Sequence, residues 1–213
     1  MEISEKTLEK IEFDKKFVSD GIKYVAGVDE VGRGPLAGPV VCAAVVMPLN
    51  ENLIDGINDS KKLSEKKRNV LSELIRKNAI AFSIARVEPD EIDEINILRA
   101  TEKCMVKAVE GLSVKPDIVL IDALSPKMPC KVQGIIKGDA QSYCIGAASI
   151  VAKVYRDALM DDYDKIYPEY SFAKNKGYGT KAHIDALRES GYCKIHRKTF
   201  IKNFSVQKAR EPF

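Results

Sequence analysis

The stretch from residue 24 to residue 47 constrains the fold more than any other part of the chain. Tyr24-Val25-Ala26-Gly27-Val28 is an apolar run leading straight into Asp29-Glu30, and Pro39 to Met47 is a second, valine-rich run. Short apolar runs of this composition read as buried strands. Between them Gly32-Arg33-Gly34-Pro35-Leu36-Ala37-Gly38-Pro39 must be turn or irregular backbone, since glycine and proline break regular elements. Adjacent residues on a flat strand point to opposite faces. Asp29 and Glu30 can therefore share a site only where the strand twists or breaks, and Gly32 and Gly34 are expected to supply that break.

Periodicity predicts the rest. An N-cap Ser64 and the face Val70, Leu71, Leu74 and Ile75 predict a helix over 64–77, and residues 79–87 read as a third strand. Pro89 opens a longer helix carrying Ile92, Ile95, Leu98, Met105 and Val109, with Gly111 as its stop. Ile118 to Ile121 is an all-apolar strand ending on Asp122, and residues 131–137 form a fifth strand with Asp139 close behind. The helix expected from Ala140 or Gln141 contains Gly146-Ala147-Ala148-Ser149, small residues that let it approach a sheet. Strands in a block, then alternating with helices, imply an α/β fold with a mixed five-stranded sheet flanked by helices. Residues 1–20 read as a polar extension, 21–165 as the main domain and 166–213 as a small, basic, helical C-terminal appendage.

Five cysteines, an odd number without C-x-x-C spacing, argue against a disulfide framework or a zinc knuckle and for reduced cytosolic thiols. No apolar stretch has the length of a signal peptide or a membrane span, so a soluble cytoplasmic protein is expected. The net charge of +3 is unevenly spread. From Lys174 onward ten Lys and Arg face three acids, a net +7, which leaves −4 on the first 173 residues. A basic segment beside an acidic body suits a polyanion held near a metal site, although from charge alone a solvated, lysine-rich surface is the better reading.

Asp29-Glu30, Asp122 and Asp139 all fall where an apolar strand stops or a helix starts, which is where α/β sheets bind ligands. Singly, Asp139 could be an N-cap, Asp122 an Asx turn and Asp-Glu an ordinary turn. Together, four carboxylates at one sheet edge repel one another unless cations lie between them, and hard oxygen ligands favour Mg²⁺ or Mn²⁺. His183 and His196 show no zinc-ligand pattern. The glycine stretch has neither dinucleotide-binding spacing nor a P-loop Gly-Lys-Ser/Thr, which leaves a backbone able to approach a ligand closely.

The run from Val25 to Val41, with Asp29-Glu30-Val31-Gly32-Arg33-Gly34 at its centre, resembles the opening motif of ribonuclease HII. The resemblance continues, in order, through Asp59-Ser60-Lys61-Lys62-Leu63, Leu120-Ile121-Asp122, Lys137-Gly138-Asp139, residues 147–157, Gly177-Tyr178-Gly179-Thr180-Lys181-Ala182-His183 and His196-Arg197-Lys198-Thr199-Phe200, about residues 22–204. It implies a ribonuclease H-like catalytic domain whose metal ligands and catalytic acids are Asp29, Glu30, Asp122 and Asp139. It further implies that Gly32, Arg33 and Gly34 meet the ribose 2′-hydroxyl and nearby phosphates, that Lys61 contacts the phosphate backbone and that Tyr178 packs on the nucleotide at an RNA–DNA junction. Tyr178 could instead simply anchor the C-terminal helices, and Asp157 could be a fifth acid or a partner of Arg156 or Lys153. The implied reaction is two-metal hydrolysis by Mg²⁺ or Mn²⁺ of the RNA strand in RNA–DNA hybrids, and of ribonucleotide-containing duplex DNA, leaving a 5′-phosphate and a 3′-hydroxyl. A DNA nuclease of related fold and a non-catalytic nucleic-acid binder are the alternatives. A monomer is expected, and no clamp-binding motif is recognised.

Overall fold

In the computed structural model the described residues are 3–19, 21–122, 124 and 126–204. Helix α1 (Glu5–Lys15) precedes strands β1 (Val25–Val31) and β2 (Val40–Val46). Then come α2 (Glu65–Asn78), β3 (Ala81–Val87), α3 (Pro89–Ile95), α4 (Ile97–Glu110), β4 (Ile118–Asp122) and β5 (Lys131–Ile135). The one-turn α5 (Gly138–Gln141) leads into the long α6 (Tyr143–Ile166), followed by α7 (Phe172–Asn175), α8 (Lys181–Ser190) and α9 (Lys198–Ile201).

The five strands form one mixed sheet in the order β3-β2-β1-β4-β5. β1 pairs antiparallel with β2 and parallel with β4, so the central strand carries Asp29 and Glu30 toward the same edge at which β4 ends on Asp122. Every residue of β2 is buried. Val41, Ala43 and Val45 face α6 and α2, whereas Val40, Cys42, Ala44 and Val46 face α4, which is the period-two division a doubly covered strand requires. The small-residue start of α6 lies against β1, where a Cβ at Gly27 would stand 2.1 Å from the backbone of Cys144.

Two local departures from the sequence expectation have physical causes. The helix expected from Pro89 to Gly111 is divided at Asn96, whose φ of 68° ends α3 while its side chain accepts from the N–H groups of Leu98 and Arg99 and starts α4. Asp139 is not an N-cap but lies inside α5, and the cap of α6 is Ser142, accepting from Ile145 N–H. α1 lies within the polar N-terminal segment and buries Ile11 against the sheet-side core. Its Asp14 accepts from Cys144 N–H at the start of α6. The C-terminal helices build their own core from Tyr170, Phe172, Leu187 and Ile201, and this core joins the main body at Ala37 and Met160. No helix among the described residues is long and apolar enough to cross a membrane.

Candidate active site

β1 remains paired with β2 through Val31, so the strand does not break between the two acids, and the turn begins at Gly32 with a φ of +93°. Asp29 is buried, and its Oδ1 accepts from Glu30 N–H at 2.9 Å. Burial, then the neighbouring Glu30, push Asp29 well above the usual carboxylate range, with Asp122 adding to the rise; the Ser149 hydroxyl on α6 works against it. Ser149 is itself 2.9 Å from the buried Ser60 hydroxyl. Glu30 is raised by burial, with Arg33 opposing and Asp122 reinforcing the rise, and its Oε1 lies 3.5 Å from Arg33. Its other oxygen, Oε2, is buried without a hydrogen-bond partner.

Asp122 accepts from Gly138 N–H at 2.8 Å, which ties the end of β4 to α5. Asp139 on α5 is raised by burial and by Asp59 and Asp122, while Lys61 opposes. Asp122 thus feels both Asp29-Glu30 and Asp139 and sits electrostatically between them. As they stand, no three carboxylate, imidazole or thiol groups among the described residues form a ready metal cage. From α1, the buried Lys10 donates to the backbone carbonyl of Asp139 at 2.8 Å.

The glycine-rich stretch divides into an inner and an outer side. A Cβ at Gly32 would stand 2.2 Å from Arg156 Nε, and one at Gly38 (φ +85°) 2.6 Å from Met160 Sδ. These two glycines admit protein groups rather than a ligand. Gly34 is exposed, and a Cβ there would meet only Tyr178 Cε1, at 3.8 Å. The loop and Tyr178, brought from opposite ends of the chain, therefore form one exposed surface next to Glu30.

Tyr178 is 44% exposed, but its backbone is held. His183 Nδ1 donates to the Tyr178 carbonyl at 2.9 Å, which leaves Nε2 to accept from His196 Nε2 at 3.0 Å. His196 Nδ1 in turn accepts from Cys193 N–H at 3.1 Å. Both rings are fully buried, and burial lowers both pKa values, that of His196 to about 3 with His183 contributing.

Lys61 is exposed and follows Asp59, whose side chain accepts from Lys61 N–H. Asp157 is engaged elsewhere, 2.7 Å from Lys153 and 3.8 Å from Arg68. The basic C-terminal segment is less free than its charge suggests. Arg197 is buried, Lys176 pairs with Asp161, Arg188 with Asp185 and Lys198 with Asp90. Lys208 and Arg210 lie outside the described residues. Lys174, Lys181, Lys194 and Lys202 are exposed.

The structure also brings to this region Arg156, Arg197, Ser149, Lys10 and the histidine pair, to none of which the sequence reading assigned a part in the site. Arg156 left a signal: it stands on the buried four-residue stripe Ala148, Ala152, Arg156, Met160, where a charge is out of place unless it is used.

A family model described as Ribonuclease HII matches residues 26–203. The chain belongs to the ribonuclease HII family. Among its relatives, Ribonuclease HII of Caldanaerobacter subterraneus subsp. tengcongensis is 54% identical over 199 residues, 92% of this chain and 82% of that one. Ribonuclease HII of Clostridium perfringens is 54% identical over 194 residues, 90% of this chain and 71% of the other. Among solved structures, ribonuclease H2 from Pyrococcus horikoshii superposes with a TM-score of 0.71 at 27% identity, covering 85% of this chain and 97% of that one. Ribonuclease HII from Archaeoglobus fulgidus, solved in a complex with PCNA, also gives 0.71, at 25% identity and 86% and 98% coverage. Membership in ribonuclease HII makes the chain an endonuclease of the ribonuclease H type, a hydrolase of phosphodiesters. The mixed five-stranded sheet with flanking helices is the ribonuclease HII fold. Helix α1 and its Lys10 lie outside the span the family model matches.

Proposed function

We propose that this chain hydrolyses the RNA strand of RNA–DNA hybrids and incises duplex DNA on the 5′ side of a single embedded ribonucleotide, leaving a 5′-phosphate and a 3′-hydroxyl. The observation that supports this reading best is the convergence of three features. Asp29, Glu30 and Asp122 repel one another at one sheet edge, and the exposed Gly34 backbone and the Tyr178 ring lie beside them.

Asp29, Glu30, Asp122 and Asp139 are the proposed ligands of two Mg²⁺ or Mn²⁺ ions, and divalent ions serve ribonucleases H generally. The donors suit such ions: all are hard oxygens, Glu30 Oε2 is buried and unpartnered, and burial together with neighbouring carboxylates raises the proton affinity of Asp29, Glu30 and Asp139. When bound, the ions supply an activated water and neutralise charge on the leaving oxygen. The chain's own part is positioning. Glu30 N–H and Ser149 hold Asp29, Gly138 N–H holds Asp122, and Lys10 holds the peptide of Asp139.

Carboxylates and cations see only the phosphate, so discrimination must come from groups that sense the 2′-hydroxyl. Of the Gly32-Arg33-Gly34 stretch, Arg33 and Gly34 offer exposed backbone groups at close range, Gly32 being turned to the protein side, and the exposed Tyr178 ring packs on the sugar or base. A substrate lacking the hydroxyl leaves those polar groups unpaired, at about 1–3 kcal/mol each. Lys61 and the exposed lysines of residues 166–213 hold flanking phosphates. Five free thiols support action in a reducing cytoplasm, and the proposed acting form is a monomer.

The test is incision of three labelled duplexes, an RNA–DNA hybrid, a DNA duplex with one ribonucleotide and an all-DNA control, with Mg²⁺, Mn²⁺ or a chelator. Metal-dependent cuts in the first two and none in the control are expected. Equal cutting of the control would refute the reading.

A further inference from the structure

Two guanidinium groups lie beneath the glycine-rich loop, and both are fully buried. Arg156 comes from α6 and Arg197 from the residue before α9. Arg156 donates to the carbonyls of Pro39 (3.0 Å), Ala37 (3.1 Å) and Lys176 (2.8 Å). Arg197 donates to those of Gly38 (3.0 and 2.8 Å), Arg33 (2.8 Å) and Gly32 (2.5 Å). Every hydrogen-bond partner is a backbone carbonyl, and Arg197 also lies over the Phe200 ring, 5.0 Å from its centroid. Among the described residues neither guanidinium has a carboxylate in ion-pair contact. Asp157 is turned to Lys153 and Arg68, and Asp93 accepts from the N–H groups of Lys198 and Thr199.

Burying one cation without a counter-charge is costly, and two close together repel as well. Arg197 shows both effects: burial, then the charge of Arg156, bring it down to about 9 against a smaller opposing pull from Asp93, as Asp157 opposes the lowering of Arg156 by burial. An arrangement this unfavourable in the free protein suits a site that acquires its negative charge from outside. The loop backbone indicates where that charge arrives. No peptide bond in the described structure is cis, and in a trans peptide C=O and N–H point in opposite directions. With the carbonyls of Gly32 and Arg33 drawn inward to Arg197, the N–H groups of Arg33 and Gly34 point outward, toward the face that Tyr178 borders. No backbone carbonyl among the described residues accepts from either N–H.

We propose that Arg156 and Arg197 are positioning residues for phosphate recognition. They aim the Arg33 and Gly34 N–H groups outward, and their two charges, which no ion pair balances, are neutralised when a substrate phosphodiester docks on those groups. The inference rests on the reading that the loop meets nucleic acid. It goes further by placing the attraction in two side chains that never touch the substrate. Being buried, this charge is screened little by salt, unlike that of the surface lysines.

The test is a cycle between protein charge and substrate charge. Affinity is measured in a chelator for ribonucleotide-containing duplexes in which each phosphodiester flanking the ribonucleotide is replaced in turn by a neutral methylphosphonate. In the wild type one such replacement weakens binding about tenfold. Arg197→Met and Arg156→Met weaken binding to the unmodified duplex, and in them the same replacement has an effect of threefold or less, roughly. Losses that multiply independently at every phosphate would overturn the proposal and leave the arginines a purely structural role. Where a methionine variant does not fold, the lysine variant decides: Arg197→Lys keeps the charge and must keep the phosphate sensitivity while losing turnover. A folded lysine variant indifferent to the replacement overturns the proposal equally. Incision of the unmodified ribonucleotide duplex by the wild type is the separate control. Its absence would count against the proposed function and not against the arginine pair.

Discussion

Gly32 and Gly34 are two residues apart in one motif, yet alanine at each should fail in a different way. At Gly32 an L side chain meets a φ of +93°, a strain of about 1–3 kcal/mol, and its Cβ would stand 2.2 Å from Arg156 Nε. Arg156 cannot withdraw without loosening its bonds to the carbonyls of Pro39 and Ala37, and a hydrogen bond to a charged group contributes about 1.5–3 kcal/mol. The sum is at least about 3 kcal/mol, or a fall in Tm of roughly 6–12 °C for a chain of this size. At Gly34 the φ is not in the left-handed region and the nearest atom to a new Cβ is 3.8 Å away, so stability should change by no more than about 0.5 kcal/mol. That Cβ would occupy the surface shared with Tyr178. Losing one or two substrate hydrogen bonds there should lower turnover on a ribonucleotide-containing duplex about ten- to a hundredfold. Chemical denaturation and single-turnover incision of both variants separate the two effects. Gly32→Ala with wild-type stability, or Gly34→Ala with wild-type turnover, would refute the division of the loop into two sides.

Asp29→Asn and Asp122→Asn should each remove nearly all incision while duplex binding survives. Because burial and Glu30 make ionised Asp29 unfavourable, Asp29→Asn should also stabilise the metal-free protein at pH 8; denaturation in chelator that shows destabilisation contradicts this. Tyr178→Ala should lower turnover by orders of magnitude and Tyr178→Phe by much less, since the proposed role is the ring's packing on the nucleotide; equal rates for the two would move the role to the hydroxyl. For His196 the folded pKa lies below the unfolded value, so the neutral ring's contribution to stability is complete above about pH 6.5 and is lost as pH falls toward about 3. Its ring resonances should therefore not move between pH 7.5 and 5, and a titration near 6.5 in the folded protein would break the His183–His196 link.

What was legible in the sequence was whatever periodicity and strand ends encode. All five strands could be placed, most plainly β2, which is apolar along its whole length, and β4, which is apolar up to its terminal Asp122. The acids could be placed because strands end on them. The division at Asn96 was hidden, since apolar spacing continues across it and only the left-handed φ breaks the helix. The purpose of the glycines was hidden for a related reason. Sequence shows where a side chain is missing but not which neighbour fills the space, and at Gly32 and Gly38 the neighbours come from α6, more than a hundred residues away. Arg197 and the histidines sit in a segment whose net charge suggested solvent, yet three of its most conspicuous polar side chains, His183, His196 and Arg197, are fully buried.

Lys10 gives the N-terminal helix a hold on chemistry that its sequence does not advertise. Its ammonium grips the peptide that carries Asp139, from a helix anchored by Ile11 and by the contact of Asp14 with the start of α6. A fusion partner or a protease cut that dislodges residues 5–15 would leave every proposed metal ligand untouched. It would nevertheless show up at the bench as an enzyme that demands more metal.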